Sequence, residues 1–106
     1  MLSGVSELSK IRASAKGKEC QVRIIGVCNG NNETVVWAHA NGLASGRGMW
    51  LKSNDLSGAY ACSACHAAYD RAAGNHGIEY RYIELDFFHG HLRSLKILID
   101  EGIVKL

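Results

Sequence analysis

The chain has 106 residues and a mass of 11.5 kDa, room for one compact domain, which excludes large multidomain enzymes. Hydrophobic residues make up 47% and charged residues 21%, so the composition is that of a folded domain, and no apolar run approaches the ~20 residues of a spanning helix. The net charge of +2 is unevenly placed: residues 1–53 carry seven cations and three acids, residues 54–106 five cations and seven acids.

The first residues, Met1 to Glu7, lack a basic stretch followed by an apolar one, so no conventional secretory signal is expected and a cytoplasmic, reducing setting is the default. In that setting four cysteines read as metal ligands before they read as disulfides. A domain this small has a marginal core, and a structural metal is the usual supplement.

In chain order, Leu8 and Ile11 anchor a short helix ending near Gly17. Lys10, Arg12, Lys16, Lys18 and Arg23 crowd this region, a density suited to a polyanion, and Arg47 follows further on; the bland reading is a solvated basic arm. Gln21 to Ile25 predicts a short strand stopped by Gly26. Gly26 to Asn32 is a tight turn region rich in glycine and asparagine. Thr34 to Ala40, β-branched and aromatic at its start, predicts the better strand. Asn41 to Gly48 is a glycine-rich loop whose spacing fits neither a P-loop nor a dinucleotide fingerprint. A short stretch, Ala59 to Ala61, leads into Cys62, and alanines at 64, 67, 68, 72 and 73 predict a helix beginning at the second cysteine pair. Leu85, Phe88, Leu92, Leu95 and Ile99 recur at helical spacing and predict a C-terminal helix packing through that stripe, capped at Gly102. His89 and His91 near it read as structural or surface residues.

The cysteines pair as Cys20 with Cys28 and Cys62 with Cys65. Thiolates at 62 and 65 on a first helical turn reach one ion, and a knuckle at 20 and 28 supplies two more for a tetrahedral site; zinc, soft and redox-silent, suits four thiolates. The alternatives are two disulfides or free buried thiols. Cys62-Ser63-Ala64-Cys65-His66 also has haem-attachment spacing, but that would need export and leaves Cys20 and Cys28 unexplained. His66 and Asp70, four apart, share a helix face and can converge on a second, catalytic cation, although Asp70 could equally pair with Arg71 or solvent. His39, at the end of its strand, is alone an ordinary half-buried histidine; beside a metal site it becomes a candidate general base.

The order Cys, Cys, strand-end His, glycine-rich loop with Asn/Asp, then Cys-x-x-Cys-His resembles the HNH endonuclease superfamily, whose ββα-metal motif wraps one divalent ion. The chain more closely resembles the small YbcO-type "putative nucleases" of lambdoid phages and prophages. That resemblance rests on Gly17 to Ile24, Gly26 to Asn31, Ala38-His39, Asp55-Leu56, Ala61 to His66 and Asp70-Arg71. It implies that His39 activates water and His66 binds the catalytic ion. Asn54 or Asp55 would fill the middle, base-orienting position. Many relatives carry a metal ligand just before the base, where this chain has Ala38; Asp70 is the best replacement and His76 a poorer one.

These readings together predict one α+β domain: a basic segment (residues 1–19), a zinc-stapled ββα-metal core (20–75) and a C-terminal packing helix with its tail (79–106). The expected activity is hydrolysis of DNA phosphodiesters, with structural zinc and a catalytic Mg, Mn, Ni or Zn ion, and no membrane partner. The alternatives are a zinc-stapled DNA-binding module without catalysis and a zinc-stabilised protein-interaction domain.

Overall fold

The computed structural model describes residues 7–41, 56–72 and 77–105. The glycine-rich loop beyond Asn41 and the predicted site residues Arg47, Asn54, Asp55 and His76 lie outside the described residues. The elements are α1 (Glu7–Ala15), a 3₁₀ turn (Asn32–Thr34), β1 (Val36–His39), β2 (Gly58–Ala61), α2 (Ser63–Ala72) and α3 (Ile78–Asp100), an α+β arrangement around a two-stranded sheet.

The first helix buries Ile11 and Ala15 completely or nearly so, and it ends where Gly17 takes a φ of +82°, a left-handed conformation that side chains resist. β1 and β2 run antiparallel, pairing Trp37 with Tyr60 and His39 with Gly58. Their rings meet edge to face at 5.3 Å between centroids. Gly58 is required here: a Cβ would lie 2.6 Å from the Ala38 carbonyl oxygen and 2.7 Å from the Trp37 ring.

All four residues of β2 are buried, so its backbone groups need partners away from water. The Tyr60 N–H donates to Ser94 Oγ of α3 at 3.0 Å, and Ser94 in turn donates to the Gly90 carbonyl at 2.6 Å. The Tyr60 carbonyl accepts from the Gln21 N–H at 2.8 Å, and the Tyr60 hydroxyl bonds Ser14 Oγ of α1 at 2.7 Å. His91 reaches the Gly58 carbonyl through Nδ1 at 2.7 Å, which gives it the structural role expected of it. The free edge of β2 is therefore closed by α3 and by the Gln21 loop, which blocks strand addition.

Two sequence-based expectations are corrected. Gln21 to Ile25 forms no strand: Arg23 has a φ of +56°, and the N–H groups of Arg23 and Ile24 turn to the sulfurs of Cys20 and Cys65 at 3.5 and 3.4 Å. Alternating burial of Val22 and Ile24 comes from a loop wrapping the cysteines, and it mimics a strand's period. Of the predicted packing stripe of α3, only Leu95 packs against the core among the described residues. Leu85, Phe88, Leu92 and Ile99 are 47, 53, 49 and 38% exposed, while Phe87, Gly90, Ser94 and Leu98 are buried. The inward face includes a glycine and a serine, which contribute little to an apolar count: Gly90 lets α3 approach the Gln21–Val22 loop closely, and Ser94 meets β2. Phe87 stacks on Tyr69 of α2 at 3.7 Å between centroids. Gly102, with a φ of +72°, ends the helix as expected, and the N–H groups of Ile103 and Val104 return to the Leu98 carbonyl.

Candidate metal centre and active-site face

The turn region between Cys20 and Cys28 is built by local chemistry. Val27 and Cys28 donate their N–H groups to the Ile24 carbonyl, Gly26 and Gly30 supply positive φ, and Asn29 and Asn31 cap the N–H groups of Asn31 and Glu33 at 2.8 and 3.0 Å. Asn29 also reaches Ser63 Oγ at 3.1 Å, which ties this loop to the first residue of α2. The second pair straddles the helix start. Cys62 immediately precedes α2 and receives the Cys65 N–H on its sulfur at 3.4 Å.

These loops bring the sulfurs of Cys20, Cys28, Cys62 and Cys65 within 4.8 Å of one another, with Cys28 and Cys62 at 3.9 Å. No disulfide joins them. A tetrahedral ion with bonds of ~2.3 Å separates its sulfurs by about 3.8 Å, so one metal ion could be held by all four. Burial opposes ionisation of Cys62, but N–H donors from Cys65 and Asn29 and the neighbouring thiols outweigh it and lower its pKa to about 7. Burial raises Cys65 and Cys28, the former strongly. A set with one easily ionised thiol and others held back is the electrostatic situation that a bound cation relieves.

The face of α2 beyond this cluster carries His66 and Asp70, one turn apart, with His66 Nε2 3.5 Å from Asp70 Oδ2. Both are accessible, at 38 and 57% of side-chain surface. Asn41, two residues past His39, donates its side-chain amide toward Asp70 Oδ1 at 3.5 Å and its backbone N–H to the Tyr69 hydroxyl at 2.8 Å. Burial raises the Tyr69 pKa, partly offset by that N–H. The end of β1 is thus pinned against the exposed face of α2, and His39 sits half-buried at the head of that connection. Ala38, just before His39, is buried at 1% exposure and has no ligating side chain. Asn41 was missed by sequence reasoning; its position two residues after a strand-end histidine was the available signal.

The basic residues divide. Lys10, Arg12 and Lys16 are exposed on or just past α1. Lys18 instead pairs with Glu101 at 3.0 Å and lies 5.9 Å from the Tyr60 ring centroid. Arg23, though exposed, folds back to donate to the Cys20 carbonyl and Gln21 Oε1 at 3.0 and 3.3 Å. No described helix is long and apolar enough to cross a membrane.

A family model described as "Putative nuclease YbcO" matches residues 9–103. Proteins of that same description from Escherichia coli strain K12 and from Enterobacteria phage 82 are each 42% identical over 98 residues, covering 92% of this chain and 99% of theirs. A solved structure described as a "putative bacteriophage protein" of Escherichia coli K-12 is 40% identical, with a TM-score of 0.67, covering 88% of this chain and all of that one. Matched by that model over most of its length and by these relatives at 42% identity, the chain belongs to the YbcO "putative nuclease" family.

Proposed function

We propose that the protein is a metal-dependent DNA endonuclease of the HNH type, encoded in a phage or prophage setting. The observation that carries this reading is the joint placement of His66 and Asp70 on one accessible helix face, with Asn41 linking that face to the end of the His39 strand. In this reading Cys20, Cys28, Cys62 and Cys65 hold a structural zinc, and His66 with Asp70 binds a catalytic Mg, Mn, Ni or Zn ion. A divalent ion held by these two side chains would supply Lewis-acid stabilisation of charge on the scissile phosphate. His39 takes a proton from the attacking water, Asn54 or Asp55 orients its ring, and Asn41 holds Asp70 in place. Lys10, Arg12 and Lys16 hold phosphates, joined by Arg47, while Lys18 and Arg23 contribute field more than direct contact.

The buried Ala38 favours a second reading, a zinc-stapled DNA-binding module without catalysis. Incubating the purified protein with linear, nicked, branched and single-stranded DNA, each with Mg, Mn, Ni or Zn, separates the two. Cleavage that needs a divalent ion supports the nuclease. Salt-sensitive DNA binding with no cleavage under any ion supports the binding module and removes the catalytic assignment.

A further inference from the structure

We infer that the protein self-associates as an antiparallel two-fold dimer through the outward face of α3. The stripe that sequence periodicity marks as apolar is left largely uncovered by the described residues: Ile78, Leu85, Phe88, Leu92 and Ile99 are between 38 and 71% exposed, on the side of the helix opposite buried Phe87, Ser94 and Leu98. Ile78, Leu85, Leu92 and Ile99 recur every seven residues, with Phe88 and half-buried Leu95 between them at the spacing of a second seam position. A strict seven-residue repeat is the pattern by which one helix packs along another, not the wider stripe of a helix lying on a core. The seam runs for about 30 Å.

A second copy is the occupant that fits, on area and on charge. Large apolar side chains exposed to this extent offer on the order of 100 Å² each. The five exposed stripe residues thus offer about 500 Å² of apolar surface, and their flanking side chains add to it toward the roughly 800 Å² per partner of a standard interface. Arg81 is the seam's charged residue, and it sets the direction. In a parallel pair it would face Arg81 of the second copy across the seam, a like-charge contact that disfavours that arrangement. In an antiparallel pair centred beside Gly90, Phe88 packs against Leu92 of the second copy and Leu85 against its Leu95. Arg81 then lies next to Ile99 and Asp100 of the second copy. Asp100 is exposed and one turn from Lys96, which it contacts at 2.6 Å, so its second oxygen can accept from Arg81. The same patch meets itself, as a closed two-fold contact requires. This inference does not rest on the nuclease reading.

The test is the mass in solution of the full chain, by light scattering and sedimentation equilibrium from about 1 to about 100 μM, a range that brackets a micromolar dissociation constant. The expected result is twice 11.5 kDa at the upper end. Leu92→Glu and, separately, Leu85→Glu should sediment as monomers. Both sites are half-exposed, so unchanged circular dichroism should accompany the loss. Arg81→Glu should weaken association roughly tenfold, through two symmetric contacts, and adding Asp100→Arg to it should restore most of that loss. A monomer throughout the range overturns the proposal, as does a folded Leu92→Glu that still dimerises. A charge-swapped double variant no tighter than Arg81→Glu overturns the antiparallel arrangement.

Discussion

Gly90 of α3 lies against the backbone of Val22: a Cβ on Gly90 would sit 2.8 Å from the Val22 Cα and 2.9 Å from the Gln21 carbonyl oxygen. The C-terminal helix and the first cysteine loop are therefore packed backbone to backbone, and Arg93 reinforces the contact by donating to that same Gln21 carbonyl. The loop that presents Cys20 is held from outside by a helix some seventy residues away in sequence.

Gly90→Ala follows directly. In an open helix, replacing glycine by alanine gains about 1 kcal/mol. Here the added methyl meets backbone on the other side, which cannot rotate away, so a net loss of about 1–3 kcal/mol is expected. Thermal or urea unfolding measures it. Because Val22 is two residues from Cys20, the variant should also release metal to a chelator faster than the wild type. A stabilised Gly90→Ala with unchanged metal release would mean that the close approach is relieved by a small helix shift.

The four thiols lead to a second expectation. Metal binding and folding are coupled when the ligands come from irregular backbone rather than a preformed helix or strand, and the Cys20–Cys28 segment is such a loop. The protein purified without chelator should carry one zinc per chain, and stripping it should reduce helicity and thermal stability together. Cys65→Ser should reproduce the stripped state, since Cys65 is fully buried and also accepts the Ile24 N–H. Elemental analysis with circular dichroism checks both; a folded, metal-free protein of unchanged stability would reduce the cluster to packed free thiols.

Where sequence reading failed, it failed for identifiable reasons. The helix at Glu7–Ala15, the strand ending at His39 and the helix opened by the second cysteine pair were legible because breakers, β-branched residues and alanines agree locally. Gln21 to Ile25 misled because the N–H groups of Arg23 and Ile24 bond sulfur, a partner that an alternation pattern does not register. The α3 stripe misled in the opposite way: the periodicity is real, but the core took the face with Gly90 and Ser94. Ser94 earns burial by satisfying the Tyr60 N–H, a hydrogen bond across thirty-four residues that no local pattern contains. The cysteine cluster needed only spacing, whereas Asn41 needed the fold to bring it to Asp70.

The division among the basic residues makes the DNA-binding reading quantitative. Each phosphate contact contributes nearly one unit to the slope of log affinity against log salt. Removing the exposed Lys10 and Lys16 charges together should lower that slope by about 2 and weaken binding to all sequences alike. Lys18→Ala should behave differently, because Lys18 is paired with Glu101 and packed near Tyr60. Its main effect should be a stability loss of up to about 1 kcal/mol, with little change in slope. Fluorescence anisotropy at several salt concentrations, beside thermal melts, distinguishes them. Equal slopes for the wild type and the Lys10, Lys16 variant would return the basic segment to solvated surface.

The proposed catalytic roles of His39 and His66 predict two different failures. His39 is outside the cysteine cluster and holds a proton in the proposed reaction, so His39→Ala should leave zinc content, fold and DNA affinity nearly intact while lowering metal-dependent cleavage by ~10²- to 10⁴-fold. More divalent ion should not restore it, because what is lost is proton transfer. His66→Ala should weaken the catalytic ion's binding, and since Asp70 and Asn41 remain beside it, a higher ion concentration should recover part of the rate. Asn41→Ala is the finer probe. It removes the amide that steadies Asp70 without touching a ligand, so it should raise the ion concentration needed for half-maximal cleavage several-fold and leave the saturated rate close to normal. Cleavage rates measured against ion concentration for the three variants give the comparison. A His39→Ala protein that cuts at the wild-type rate, or that is rescued by added ion, would remove His39 from the chemistry; identical ion dependence in all three would separate the His66–Asp70 face from metal binding altogether.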